Sequence, residues 1–198
     1  MNFLAHIYLS INDDEISIGN FIADSIRGNK YEHLPKKVQK GIFLHREIDT
    51  FTDSHPIARQ SSKRLHKNYG HYSRVVVDIF YDHFLAKNWN NYSDIPLSLF
   101  VDNFYTLLEN NKEILPEKTK RMMPYLIGNN WLLNYANLKG IGEVLNGMNR
   151  RTNNKSKMNF AIVDLEEHYS EFEEEFNSFF DKLIDFAKEK YISLCVLS

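Results

Sequence analysis

Cysteine is almost absent from this chain of 198 residues: a single one, Cys195, stands near its end. A disulfide framework within the chain is thereby excluded, as is a Cys-rich zinc site, and the usage fits a reducing compartment. Eight glycines and five prolines are few for the length. That scarcity argues against a turn-rich sandwich or barrel and for long helices. An excess of positive charge is also missing. Lys and Arg total 24 against 26 Asp and Glu, a net charge of −2, which speaks against a general nucleic-acid binder. No apolar run approaches the roughly 18 residues of a membrane span. No basic leader opens the chain, and its first apolar stretch is broken at His6 and again at Asn12, Asp13, Asp14 and Glu15. The expectation is a soluble, cytoplasmic protein without a membrane partner. Phosphate-loop spacing, a dinucleotide fingerprint and a Gly-x-Ser-x-Gly elbow are absent as well. Cys195 has no local partner, which argues against a nucleophilic role.

What is present is apolar surface: 43% of residues are hydrophobic and 14% aromatic, enough to offset the entropy of ordering. With no repeat, low-complexity tract or linker, one domain over residues 1–198 is expected. The pattern predicts an all-α, single-domain helical bundle. Helices are expected over about Asn2 to Leu9, Ile16 to Ile26 with Gly28 as a C-cap, Lys36 to Phe51, Pro56 to Tyr69 and Tyr72 to Trp89. A sixth starts at Ser93 to Pro96 and reaches about Asn110. Pro116 and Pro124 bracket shorter helices, and a last long one runs from about Val163 to Tyr191.

Charge is unevenly spread. From Arg27 to Arg74 eleven cations face four acids, +7; from Asp164 to Lys190 three cations face ten acids, −7. The acidic run reads as a solvated helix face. The basic one overlaps the candidate chemistry and suits an acidic partner.

Seven of the eight histidines precede Phe84. His45 and Asp49 are four apart and stack on one helix face, beside the apolar stripe of Leu44, Ile48 and Phe51. Imidazole and carboxylate so spaced can share a divalent cation or simply hydrogen-bond. Asp53 either continues the row or caps the fourth helix. The fifth helix is apolar nearly all round yet carries Asp78 and Asp82, again four apart. Two buried carboxylates each cost several kcal/mol to desolvate, roughly, unless paired. A bound cation would resolve that cost, and so would an arginine, Arg46 or Arg74. Asp24 follows a largely apolar segment and is expected to point inward. His6, among Phe3, Leu4 and Ile7, is by itself more simply a core histidine. Spread over several helices, His6, Asp24, His45, Asp49, Asp53, His55, Asp78 and Asp82 together resemble the plan of helical metal-dependent phosphohydrolases. Hard oxygen ligands with imidazole favour Mn²⁺ or Mg²⁺.

The segments Met1 to His6, Gly19 to Asp24, Gly41 to Asp49, Thr52 to Pro56, Asp78 to Leu85 with Trp89, and Val144 to Met148 carry a more specific likeness. In this order and spacing they resemble the acyl carrier protein phosphodiesterases. The resemblance implies a divergent HD-type phosphohydrolase fold and manganese dependence. It implies hydrolysis of the phosphodiester joining 4′-phosphopantetheine to a serine of holo-acyl carrier protein. Metal-site roles carry over to His6, Asp24, His45, Asp49 and Asp78. Asp24, His55, Asp82 and Arg46 are the expected catalytic residues, with His55 assisting the leaving group. The adjacent His-Asp pair of the wider HD pattern is missing: Arg46 follows His45, and Asp82-His83 reads in reverse. Arg27, Arg46 and Arg74 suit bidentate phosphate contacts. Lys36, Lys37, Lys40, Lys63 and Arg64, with Arg27, are expected to dock the acidic carrier. Two other readings stay open: a phosphohydrolase of nucleotides or other small phosphoesters, and a non-catalytic carrier-binding module whose aspartates form only ion pairs.

Overall fold

Prolines and Asn- or Asp-rich turns cut the chain into helices, seen here in a computed structural model that describes residues 1–195. Eleven α-helices are found among the described residues, and no strand: α1 (Phe3–Tyr8), α2 (Asp14–Ile22), α3 (Lys36–Ser54), α4 (Pro56–Tyr69), α5 (Ser73–Lys87), α6 (Leu97–Asn110), α7 (Glu117–Gly128), α8 (Trp131–Asn134), α9 (Leu138–Arg151), α10 (Ala161–Glu167) and α11 (Tyr169–Cys195). The chain is all-α, as its composition implies. None of the described helices is long and apolar enough to cross a membrane. The side chain of Cys195 lies outside the described residues.

The core grows from α5 and α11. Phe172, Phe176, Phe179, Phe180 and Leu183 recur at helical spacing along α11 and are fully buried. They meet Phe80, Tyr81 and Phe84 of α5, with ring centroids 5.1–6.0 Å apart. Helix α11 also lies against α3 and α4, and α2 packs along α3.

Several boundaries depart from expectation, each for a local reason. Helix α3 runs on to Ser54, so Asp53 lies inside it. The cap of α4 is instead His55, whose Nδ1 accepts the N–H of Ile57 at 3.3 Å. Helix α2 stops at Ile22 and passes into a 3-10 turn, Ala23–Ser25, leaving Gly28 (φ +57°) in the loop beyond. Pro124 does not end a helix. It sits inside α7, which gives up the one hydrogen bond proline cannot donate and continues for a turn. The expected final helix is two, broken at His168, whose N–H bonds back to Asp164.

The acidic helix is more than a solvated face. Glu175, nearly buried, takes a bidentate pair from Arg64 at 2.7 and 2.8 Å and hydrogen bonds from Gln60 and Ser61. Lys87 pairs with Glu173 and Lys190 with Glu47. Part of the basic segment is therefore neutralised within the fold. The part around Arg59, Lys63, Lys67 and Arg74 lines an open cleft.

Candidate functional site

The site begins at a crossing of two backbones. A Cβ on Gly19 of α2 would overlap the carbonyl oxygen of Val38, and one on Gly41 of α3 would overlap that of Ile16. Only glycine allows this approach. It brings Asn20 next to His45, one turn beyond Gly41. The Asn20 carbonyl lies 2.8 Å from His45 Nδ1, so that nitrogen carries the proton and donates it. The Asn20 side chain donates to the carbonyl of His6 at 2.7 Å and to Ser10 Oγ at 3.1 Å. One buried asparagine thus fixes histidines from α1 and α3. Their rings stack with centroids 3.9 Å apart.

Asp49, the next residue of the α3 row, reaches both rings. Its Oδ2 is 3.1 Å from His45 Nε2 and its Oδ1 is 3.2 Å from His6 Nε2. His6, His45 and Asp49 each offer a ligand atom within 4.8 Å of the others. Asp24 lies 3.4 Å from His45 Nε2. It does not point inward as expected: the 3-10 turn presents it outward with 67% of its side chain exposed. At the other end the buried ammonium of Met1 sits 3.6 Å from Asp49 and 3.1 Å from Asp78. A continuous polar row results, running from Asp24 through His45, Asp49 and the ammonium to Asp78.

Burial and charge tune this row. Burial, helped by the neighbouring His45, lowers the pKa of His6 to about 4, so its ring is neutral near pH 7. Burial opposes a charge on His45 too, but the carboxylates of Asp24 and Asp49 prevail and raise it to about 9. Burial pushes Asp49 upward, yet the two imidazoles hold it well below the usual carboxylate range. The hydrogen bond from His45 keeps Asp24 low. Burial lifts Asp78 against the pull of the ammonium. The ammonium itself, opposed by burial, is raised to about 10 by Asp78 and Asp49.

Asp82 stands apart from the row. Fully buried, it caps α1, accepting the N–H groups of Leu4 at 2.7 Å and Ala5 at 3.2 Å. Burial raises it to about 7, against those two hydrogen bonds. The repulsion between Asp78 and Asp82 is therefore relieved by the chain's own start: an ammonium for one, a helix N-terminus for the other. The expected arginines are engaged elsewhere. Arg46 donates to the carbonyl of Gly28 at 2.8 Å and lies over the ring of Tyr31. Arg74 pairs with Asp53 at 3.0 Å. His55 packs against Phe51 and Phe179, and burial lowers its pKa. Arg27 is exposed beyond the turn after α2. Lys36, Lys37 and Lys40 lie on the first turns of α3, Lys37 bound to Asp13 at 3.0 Å. Asn20 and the ammonium were not singled out from sequence. A buried amide inside the otherwise apolar stretch Ile16 to Ile22 is the signal that marks Asn20.

Two clefts flank the row. One, of about 670 Å³, is lined by Arg59, Lys63, Lys67 and Arg74 and reaches Asp78. The other, of about 690 Å³, reaches Asp24 and is lined in part by Phe3, Phe21, Trp131, Val144 and Met148.

The donor set fits a divalent cation. His6 Nδ1 is buried without a partner, its Nε2 lies 3.2 Å from Asp49 but outside hydrogen-bond geometry, and its ring is neutral. His45 turns Nε2 toward two carboxylates while its other nitrogen is anchored on a backbone carbonyl, the usual outer contact of a ligating histidine.

A family model described as acyl carrier protein phosphodiesterase matches residues 1–183. Curated relatives with that name include one from Photorhabdus laumondii, 34% identical over 191 residues and 96% of either chain. Another, from Pectobacterium atrosepticum, is 33% identical over 97% of this chain and 100% of its own. A third, from Yersinia pestis, is 30% identical over the same shares. No solved structure matches.

Proposed function

From the premise that this chain belongs to the acyl carrier protein phosphodiesterase family, we propose that it hydrolyses the phosphodiester between 4′-phosphopantetheine and a serine of holo-acyl carrier protein. The products are apo-carrier and free 4′-phosphopantetheine. The observation that carries this reading is the convergence of His6, His45 and Asp49, with Asp24 exposed at one end and Asp78 at the other.

His6, His45 and Asp49 would hold a divalent cation, Mn²⁺ or Mg²⁺, with Asp24 and Asp78 beside it. Such an ion supplies a Lewis acid for a phosphoryl oxygen and acidifies a water molecule. The chain does the rest. Asn20 orients the His45 imidazole through its carbonyl and holds the His6 backbone through its side chain. The Met1 ammonium adds a fixed positive charge that offsets the negative charge of the phosphodiester. Asp24, open to solvent, takes the proton from the attacking water. A bond forms from that oxygen to phosphorus, the bond from phosphorus to the serine oxygen breaks, and the serine oxygen gains the proton that Asp24 took from water. Asp82, Arg46 and His55 have structural partners of their own, so the reading rests on the row instead.

The basic cleft suits an acidic carrier. Lys63 faces it with Arg59, Lys67 and Arg74. Lys36, Lys37 and Lys40 on the first turns of α3, and Arg27 in the loop before it, would add further contacts, whereas Arg64 is held by Glu175. The test is to incubate the protein with holo-carrier and Mn²⁺ and to weigh the products. Conversion to apo-carrier is expected. An unchanged carrier mass with Mn²⁺ and with Mg²⁺ overturns the reading.

A further inference from the structure

The second cleft belongs to a part of the chain that the reaction so far leaves idle. One wall is a stripe of α9: Gly140, Glu143, Val144, Gly147, Met148 and Arg151 recur at helical spacing and all line it. Val144 and Met148 thus turn apolar side chains to the cleft, while Ile141 and Leu145 of the same helix fill the core. The opposite wall includes Trp131, and Arg151 bridges the two. Its guanidinium lies 5.9 Å from the ring centroid of Trp131, and its Nη1 is 3.4 Å from Met148 Sδ.

Gly147 is the informative residue. It sits in the middle of α9, where glycine is a poor helix former. A Cβ built there meets nothing within 4 Å, unlike one at Gly140, which would strike the Asn134 backbone. Packing does not require a glycine at 147. Its effect is to leave the cleft open along the helix surface.

We infer that this cleft seats the pantetheine arm of the substrate, with the phosphodiester at the His/Asp row and the carrier on the basic side. The inference rests on the proposed function and adds a subsite to it. Three observations support it. The cleft is continuous with the row, because Asp24 lines the one and contacts His45 in the other. Its volume of about 690 Å³ suits a small-molecule site. Its lining combines apolar side chains with the amides of Asn2, Asn129 and Asn134 and the cations Lys118 and Arg150, and the first two kinds match an arm of methyl groups, methylenes and two amides. The cleft at the other end of the row has no side-chain amide and no Trp, Phe or Met in its lining, and its four Arg and Lys side chains suit an acidic protein.

Trp131 provides a readout that does not depend on turnover. Titrating the full-length protein with 4′-phosphopantetheine should change its tryptophan fluorescence saturably. Trp131→Phe should abolish the change, because Trp89 is buried elsewhere. Gly147→Leu should weaken binding at least tenfold while leaving the melting temperature equal or higher; Val144→Phe, on the same face, should do likewise. In kinetics, Gly147→Leu should raise KM for holo-carrier and leave the rate on bis(p-nitrophenyl) phosphate, which lacks the arm, unchanged. Wild-type binding and KM in both variants would overturn the subsite while leaving the proposed reaction standing. Failure of the wild-type protein to convert holo-carrier would instead sink the reaction, and the fluorescence titration would then decide the cleft alone.

Discussion

Helices α3 and α5 carry the same local pattern, a polar pair four residues apart beside an apolar stripe, and the fold uses the two pairs differently. On α5 the chain's own first residues satisfy the carboxylates: Asp82 holds two backbone N–H groups and Asp78 an ammonium. On α3 the pair stays open to solvent at Asp49. His45 and His6 both turn Nε2 to Asp49, at 3.1 and 3.2 Å, and Asp49 remains 44% exposed. A polar row becomes a candidate reactive centre where its side chains converge at the surface rather than on the chain's own backbone.

Substitutions should separate the two pairs. Asp49→Ala is expected to have the largest consequence. It should lower turnover of holo-carrier by more than about a hundredfold, the loss that a mere partner of a metal ligand can cause. Its melting temperature in metal-free protein should fall modestly, because His45 loses one of the two carboxylates that hold its charge, and metal analysis should find the bound cation lost. Retained turnover would move the centre away from α3. Asp82→Ala should do the reverse. It leaves two buried N–H groups bare at about 1–3 kcal/mol each, so denaturant unfolding should reveal a large loss of stability. Asp82→Asn, which keeps an acceptor, should recover much of it. If the alanine variant is stable but inactive, the contrast drawn here is wrong.

A milder probe is pH. In metal-free protein His45 titrates near 9 when folded, above its ordinary value of 6.5. Because the folded pKa is the higher one, its contribution is fully present below about pH 6.5 and fades as pH rises toward 9. The size is up to about 3 kcal/mol. Melting temperature should therefore fall over that window, and added Mn²⁺ should flatten the fall by replacing the proton on Nε2. An identical slope with and without Mn²⁺ would argue that the cation does not bind at His45. The smallest effect is expected at the rim. Lys63→Ala should raise KM for the carrier a few-fold, more at low salt than at high, with kcat unchanged.

Much of this was legible before any coordinates. The bounds of α4 agree with the sequence reading, because Pro56 opens it and Gly70 closes it. The row of His45 and Asp49 follows from their spacing alone. Other parts were not legible, for one reason. Periodicity tells which residues share a face of a helix, but not what a distant helix brings against that face. The ammonium at Asp78, the amide of Asn20 between two histidines and the carbonyl that disposes of Arg46 are all contacts between segments far apart in the chain. The outward turn of Asp24 depends on a 3-10 turn that the apolar residues before it concealed. The pairing of Arg64 with Glu175 joins residues 111 positions apart, beyond any local pattern.

The meeting of Gly19 and Gly41 has a consequence for how such a protein can change over time. Where two main chains touch with nothing between them, the spacing of the imidazoles is set by peptide groups, which no point mutation alters. Side chains elsewhere can then drift, swap size or change sign while the reactive geometry stays as it was. The same arrangement makes those two positions brittle: one added methyl group on either would push apart the helices on which everything else depends.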